Sequence, residues 1–149
     1  TKTLEEARTL LEENIKNGSA KAKQLLFIER QGGKLPDMDE FIKVKEMIDV
    51  VSTTSGYIKD INALAIGIGA MKLGAGRATK EDSIDPNVGV IVHKKVGDKV
   101  EVGEALATLY NNLDDIDYIK TEVLEAFVVT KEHVKPIPII YEILTKKDL

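Results

Sequence analysis

The chain has 149 residues, 43% of them hydrophobic and 31% charged, and its 21 basic and 25 acidic residues give a formal net charge of -4. This is the composition of a globular protein, and the basic residues are too dispersed for a nucleic-acid-binding surface. No apolar run is long enough for a membrane helix, and the absence of cysteine excludes disulfides, thiolate nucleophiles and cysteine-based zinc sites. We therefore expect a compact cytoplasmic protein without membrane or nucleic-acid partners.

Two short helices are predicted at the amino end. Thr3-Leu4-Glu5-Glu6 matches a capping box, which predicts a helix over about residues 4–17 that stops at Asn17-Gly18. Ser19 is the candidate cap of a second helix, and the glycines of Gln31-Gly32-Gly33 should end it. Their apolar faces are too small for a separate domain, so we expect them to dock on another part of the protein or on a missing partner.

The composition changes after these helices. We interpret residues 1–33 as a helical appendage, residues 34–41 with Pro36 as a linker, and residues 42–149 as the main domain. The chain begins at Thr1 without methionine, which is the pattern of a processed or truncated product.

The main domain opens with β-type periodicity. A turn is predicted at Ser52-Thr53-Thr54-Ser55-Gly56 and a strand over Tyr57 to Ile61. The apolar, small-residue run from Ala63 to Leu73 predicts a buried helix, in which Gly67 and Gly69 would allow close approach of a neighbouring backbone.

Short strands and turns dominate the next part. Val88 to Lys94 is strongly β-prone, and Gly97-Asp98 and Gly103-Glu104 predict two turns between short strands. The prolines in the segment 136–144 favour an edge strand or an extended arm.

One more helix is predicted near the carboxyl end. Asn112 is its candidate cap, and Asp114, Asp115 and Asp117 would lie in its first turn, where acidic residues are favourable. Its apolar face would consist of Leu113, Ile116, Ile119, Val123 and Phe127.

Two motifs carry a family resemblance. They are Met71-Lys72-Leu73-Gly74-Ala75-Gly76-Arg77-Ala78-Thr79-Lys80-Glu81-Asp82-Ser83-Ile84-Asp85 and the segment from Val88 to Leu106. Both resemble the carboxyl-terminal domain of the pyrimidine-nucleoside and thymidine phosphorylases, in the same order and spacing. Further similarity lies in Leu4 to Arg8, Gln31 to Gly33, Ser55 to Ile58 and Ile66-Gly67, and it thins out at residues 34–50 and after Phe127.

The resemblance implies an α+β, α/β-hammerhead-like fold, in which a mixed β-sheet with flanking helices follows the two-helix appendage. It implies a homodimeric parent enzyme that converts a pyrimidine nucleoside and phosphate into free base and pentose 1-phosphate. In that family the residues that hold base and phosphate lie earlier in the chain. No catalytic, cofactor-binding or metal-binding residue is therefore assigned here, and phosphate and nucleoside would be met only through the missing amino-terminal part.

The local anion-loop candidates are Gly74, Gly76 and Arg77, because small residues beside an arginine can cradle an anion. The loop follows its helix, however, and a helix carboxyl end is the negative pole. A structural turn is the favoured interpretation, with Arg77 paired to Glu81, Asp82 or Asp85.

Two alternatives of other classes stay open. One is a stand-alone protein-binding module. The other is a biotinyl- or lipoyl-like carrier, since Met71-Lys72-Leu73 resembles a modified-lysine motif, although Lys72 lies in a helix-like stretch without the expected flanking repeat. His93 and His133 show no metal-ligand or triad spacing.

Overall fold

The computed structural model describes residues 3–35 and 43–145. The chain divides into two compact units between Ile42 and Lys43. The predicted linker, residues 34–41, lies outside the described residues except for its first two positions.

The described residues of the first unit form two helices, α1 (Leu4–Lys16) and α2 (Ser19–Arg30). The Thr3 hydroxyl oxygen accepts from the Glu6 amide at 3.1 Å, which confirms the predicted cap of α1. The predicted end at Asn17-Gly18 is also confirmed, since Asn17 is the carboxyl cap.

The predicted capping role of Ser19 is wrong. Gly18, in the left-handed conformation with φ 79°, is the amino cap of α2. The Ser19 hydroxyl instead donates to the side-chain oxygen of Asn14 at 2.7 Å, so it turns back toward α1.

Neither α1 nor α2 has a buried residue. The large apolar side chains that are exposed are Leu4, Leu10, Leu11, Ile15, Leu25, Leu26 and Phe27. The helix pair therefore leaves most of its apolar surface in contact with solvent.

The described residues of the second unit, 43–145, form six strands in two three-stranded sheets. The strands are β1 (Glu46–Val51), β2 (Gly56–Ile61), β3 (Gly89–Val92), β4 (Lys99–Val100), β5 (Ala105–Asn111) and β6 (Phe127–Thr130). The sheet orders are β1-β5-β3 and β4-β2-β6, and every neighbouring pair is antiparallel. The α+β class is confirmed. The predicted single mixed sheet is replaced by two antiparallel sheets, because a β-prone run does not indicate the direction in which it pairs.

Two helices pack with these sheets, α3 (Ala63–Ala70), which continues as a π-helical turn Met71–Ala75, and α4 (Asp117–Glu125). The predicted cap of α4 at Asn112 is wrong, since α4 begins at Asp117 after Ile116. The Asn112 side-chain oxygen accepts from the amide of Lys45 at 2.7 Å. Its hydrogen-bond donor is therefore a residue distant in sequence and not an amide in the first turn of α4.

The core lies between the sheets and these two helices. Its buried apolar residues are Val50, Ile58, Leu73, Val88, Val100, Leu106, Ala107, Leu109, Ile116, Ile119, Val123, Ala126 and Phe127. The predicted strands, turns and apolar face of α4 account for most of them, although Leu113 of that predicted face is exposed and Phe127 belongs to β6.

The helix α3 is only half-buried, since Leu64 is 73% exposed. A Cβ on Gly69 would lie 2.7 Å from the Val123 Cγ2 atom, so Gly69 allows a close approach, although by a side chain and not by the predicted backbone. Gly67 does not, because a Cβ there would meet nothing within 4 Å.

The last described residues, 131–145, form neither helix nor strand, as an extended arm would. Ile139 in this arm is 98% exposed. Among the described residues, no helix has the length and apolar character needed to span a membrane.

Candidate functional site

The predicted anion loop lies directly after α3. Gly74 has φ 107°, and this left-handed conformation, which favours glycine, turns the chain out of the helix. Gly76 is extended and packs on Met71, where a Cβ would be 3.2 Å from the Cγ atom. The loop thus sits at the carboxyl end of its helix, the pole that repels anions.

A carboxylate of the chain itself accepts hydrogen bonds from the amides that directly follow this loop. Asp82 accepts from the amides of Ala78 and Thr79, both at 2.9 Å, and from the Thr79 hydroxyl at 2.9 Å. These bonds, that of the Thr79 amide first, hold the pKa of Asp82 below its usual value. The amides of Ala78 and Thr79, directly after the loop, are therefore already bonded to an internal anion.

Arg77 does not form the predicted ion pair. Within the described parts of the chain, no carboxylate of Glu81, Asp82 or Asp85 forms an ion pair with it. Asp82 and Asp85 are bonded to backbone amides and asparagine side chains, and the arginine is exposed.

A second polar cluster surrounds Asp85, the last residue of the first motif. Its carboxylate accepts from the amide and the side chain of Asn87, at 2.9 and 3.0 Å, and from the side chain of Asn112 at 2.7 Å. The Asn87 amide is the main cause of the lowered pKa of Asp85, and Asn112 adds to it. Sequence reasoning assigned no such role to Asp85, and the only signal was its place at the end of the motif.

A groove of about 430 Å³ lies between α3 and α4, lined by Asn62, Ala65, Ile68, Lys72, Glu122, Glu125 and Ala126. The Lys72 ammonium donates to both oxygens of Glu122, at 2.7 and 2.6 Å, and lies 5.7 Å from the ring centre of Tyr118. Lys72 thus forms an ion pair with Glu122. It belongs to a helical turn, which is not the hairpin tip that a carrier lysine needs.

The two histidines lie in separate contacts. The His93 Nε2 atom is 2.7 Å from the Thr108 hydroxyl, which donates to Asp49 at 2.6 Å. His133 packs edge-to-face on Tyr57 with ring centres 5.1 Å apart. Among residues 3–35 and 43–145, no group of three histidine, aspartate or glutamate side chains is placed to hold a metal ion.

Comparison with known proteins gives the family. The family model described as "Pyrimidine nucleoside phosphorylase C-terminal domain" matches residues 57–130. The pyrimidine-nucleoside phosphorylase of Bacillus subtilis (strain 168) is 44% identical over 147 residues, which are 97% of this chain and 34% of that protein. This chain belongs to the pyrimidine-nucleoside phosphorylase family. The protein of the same name from Staphylococcus aureus (strain USA300) is 40% identical, with the same coverage of each chain. That of Geobacillus stearothermophilus is 41% identical over 143 residues, 94% of this chain and 33% of the relative.

The matched part is the carboxyl-terminal domain of the phosphorylases, as the resemblance of the two motifs predicted. The chain spans about a third of the length of these phosphorylases. The Gly74–Arg77 loop and the Asp85 cluster lie in the matched region. Neither the carrier nor the binding-module alternative receives support from these matches.

Proposed function

We propose that this chain is the structural carboxyl-terminal part of a pyrimidine-nucleoside phosphorylase and contributes no group that contacts the reacting atoms. The whole enzyme would convert a pyrimidine nucleoside and phosphate into free base and pentose 1-phosphate, as a homodimer in the cytoplasm. The observation that carries the proposal is the match over 97% of this chain to a third of a phosphorylase.

The polar groups of the described residues favour a structural role. Phosphorolysis needs donors held ready for a phosphate dianion and for the leaving base. Here the amides of Ala78 and Thr79 are bonded to Asp82, and the Lys72 ammonium is bonded to Glu122. Glu81 and Asp82 line the same pocket as Gly74 and Gly76, and their negative charges disfavour an anion there.

The helix pair favours a larger parent protein. Seven large apolar side chains of α1 and α2 are exposed, a face that a soluble helix normally packs on another element. We propose that the amino-terminal two thirds of the phosphorylase cover this face, since the relatives are about three times as long as this chain.

The test is a phosphate-dependent assay of thymine and uracil release from thymidine and uridine. The chain is assayed alone and together with the amino-terminal two thirds of the Bacillus subtilis relative. We expect no turnover by the chain alone and restored turnover in the mixture. Turnover by the chain alone would refute the structural role.

A matched pair of variants tests the docking face. Leu11 is 65% exposed, so Leu11→Glu removes little packing within this chain but places a charge on the proposed contact. We expect Leu11→Glu to abolish restoration, and Glu12→Gln, on the same helix, to leave it intact. Circular dichroism checks that both variants keep their helices, and equal restoration by both would contradict the docking face.

A further inference from the structure

Asp85 joins several distant stretches of the second unit. Its backbone amide donates to the Gly74 carbonyl at 3.0 Å, at the end of the π-helical turn. Its carboxylate accepts from the side chains of Asn87 at 3.0 Å and Asn112 at 2.7 Å. One half-buried residue thereby connects the turn after α3, its own loop and the loop after β5.

The two asparagines in turn hold the segment that leads into β1. The Asn112 side-chain oxygen accepts from the Lys45 amide at 2.7 Å, and that of Asn87 lies 3.5 Å from the Lys43 amide. The Lys45 ammonium also pairs with Asp114, next to the same loop. These three contacts join Lys43 and Lys45 to Asn87, Asn112 and Asp114.

The carboxylate decides which way each asparagine amide points. A carboxylate only accepts hydrogen bonds, whereas an amide side chain donates through nitrogen and accepts through oxygen. The nitrogens of Asn87 and Asn112 must therefore face Asp85, and this leaves both oxygens toward the amides of Lys43 and Lys45. The ionised form is favoured, because the Asn87 amide and then Asn112 hold the pKa of Asp85 low.

We propose that Asp85 is the hub of an anchor that fixes the incoming chain at Lys43–Lys45 to the second unit, through the orientation it imposes on Asn87 and Asn112. Residues 43–45 are the first of this unit, directly after the division at Ile42. The anchor therefore holds the first residues of this unit, directly ahead of β1, against the loops that contain Asp85 and Asn112. Asp85 is a positioning residue, and the proposal does not depend on the assignment of an enzymatic activity.

The test is amide hydrogen exchange of the complete chain, followed residue by residue by NMR. In Asp85→Asn one carboxylate oxygen is replaced by an NH2 group, which cannot accept a hydrogen bond from the side-chain nitrogen of Asn87 or Asn112. We expect the Asn112 side chain to lose its fixed orientation as a result. We expect the exchange rate at Lys45 to rise roughly tenfold, the effect of losing a charge-assisted hydrogen bond. The amide of Ile58, bonded to the Asp98 carbonyl in the core, should not change.

Asp82→Asn is the matched control. Asp82 is also a loop carboxylate that accepts from two backbone amides and has a lowered pKa, but its partners Ala78 and Thr79 lie within its own loop. It should leave Lys45 unchanged. An equal rise at Lys45 in both variants would overturn the proposal.

A second variant decides the outcome should Asp85→Asn unfold the chain. Asn112→Ala removes the acceptor of the Lys45 amide directly and exposes no buried apolar group. Relative to the unsubstituted chain, we expect the exchange rate to rise more at the Lys45 amide than at the Ile58 amide. Unchanged exchange at Lys45 in Asn112→Ala would show that the anchor does not exist.

Discussion

Single polar side chains start or close several elements of this domain. Asn62 is an example, since its side-chain oxygen accepts from the Ala65 amide at 3.1 Å and its backbone amide donates to the Ala126 carbonyl at 2.8 Å. The first bond caps α3 and the second links the cap to the end of α4. The start of α3 is thus defined both locally and by a contact across the unit.

The cap of α3 gives a prediction at this scale. Asn62→Ala removes the side-chain acceptor, and we expect the free energy of unfolding to fall by about 1 kcal/mol. Asn62→Asp keeps an acceptor at the same place and should retain most of the stability. Urea denaturation followed by circular dichroism measures both, and an alanine variant as stable as the aspartate variant would show that the cap is dispensable.

The packing of whole elements rests on close contact between α3 and α4. Gly69 is buried against Val123 of α4, while Gly67, two residues earlier in the same helix, is exposed. Both residues are glycines within α3. The contact with α4 is therefore the feature that distinguishes them.

Substitution of these glycines should have opposite effects. Gly67→Ala adds a methyl group into open space and lowers the entropy of the unfolded chain, so we expect a gain of about 0.5–1 kcal/mol. Gly69→Ala would place its Cβ 2.7 Å from Val123, and overpacking should cost about 1–3 kcal/mol, more than the helix propensity gained. Thermal unfolding of the two variants checks the difference, and a stabilised Gly69→Ala variant would contradict the close contact.

At the scale of the whole molecule, hydrogen-bonded carboxylates make the stability of the fold depend on pH. Among residues 3–35 and 43–145, five side chains have lowered pKa values, each with its main cause in a neighbour: Asp82 with the Thr79 amide, Asp85 with the Asn87 amide, Glu101 with Lys99, Glu104 with Lys94 and Asp114 with Lys45. A pKa that is lower in the folded than in the unfolded state contributes stability above the unfolded pKa. That contribution is lost as the pH falls through the folded value.

The melting temperature should therefore stay level between about pH 7 and 5 and fall below about pH 4, near the unfolded pKa of these groups. The double variant Asp82→Asn, Asp114→Asn lacks two of the five carboxylates and should show a shallower decline. Thermal melts by circular dichroism across the pH range measure both proteins. Parallel curves would contradict the contribution of Asp82 and Asp114.

Much of this domain was predictable from the sequence because the deciding interactions are local. The cap at Thr3, the end of α1 at Asn17-Gly18, and the turns at Gly97 and Gly103 each depend on residues within a few positions of one another. The β-prone runs likewise became strands. The motif from Leu73 to Asp85 indicated the family, and the comparisons confirmed it.

The tertiary structure decided the features that join distant residues. Asn112 was expected to cap α4, but it holds Lys45, 67 positions away, and Asp85, 27 positions away. Arg77 was expected to pair with a nearby carboxylate, yet Asp82 turns to the amides of its own loop. A polar side chain has several partners of similar energy, and sequence spacing gives only the near ones; the fold selects the partner by bringing remote donors and acceptors within hydrogen-bonding distance.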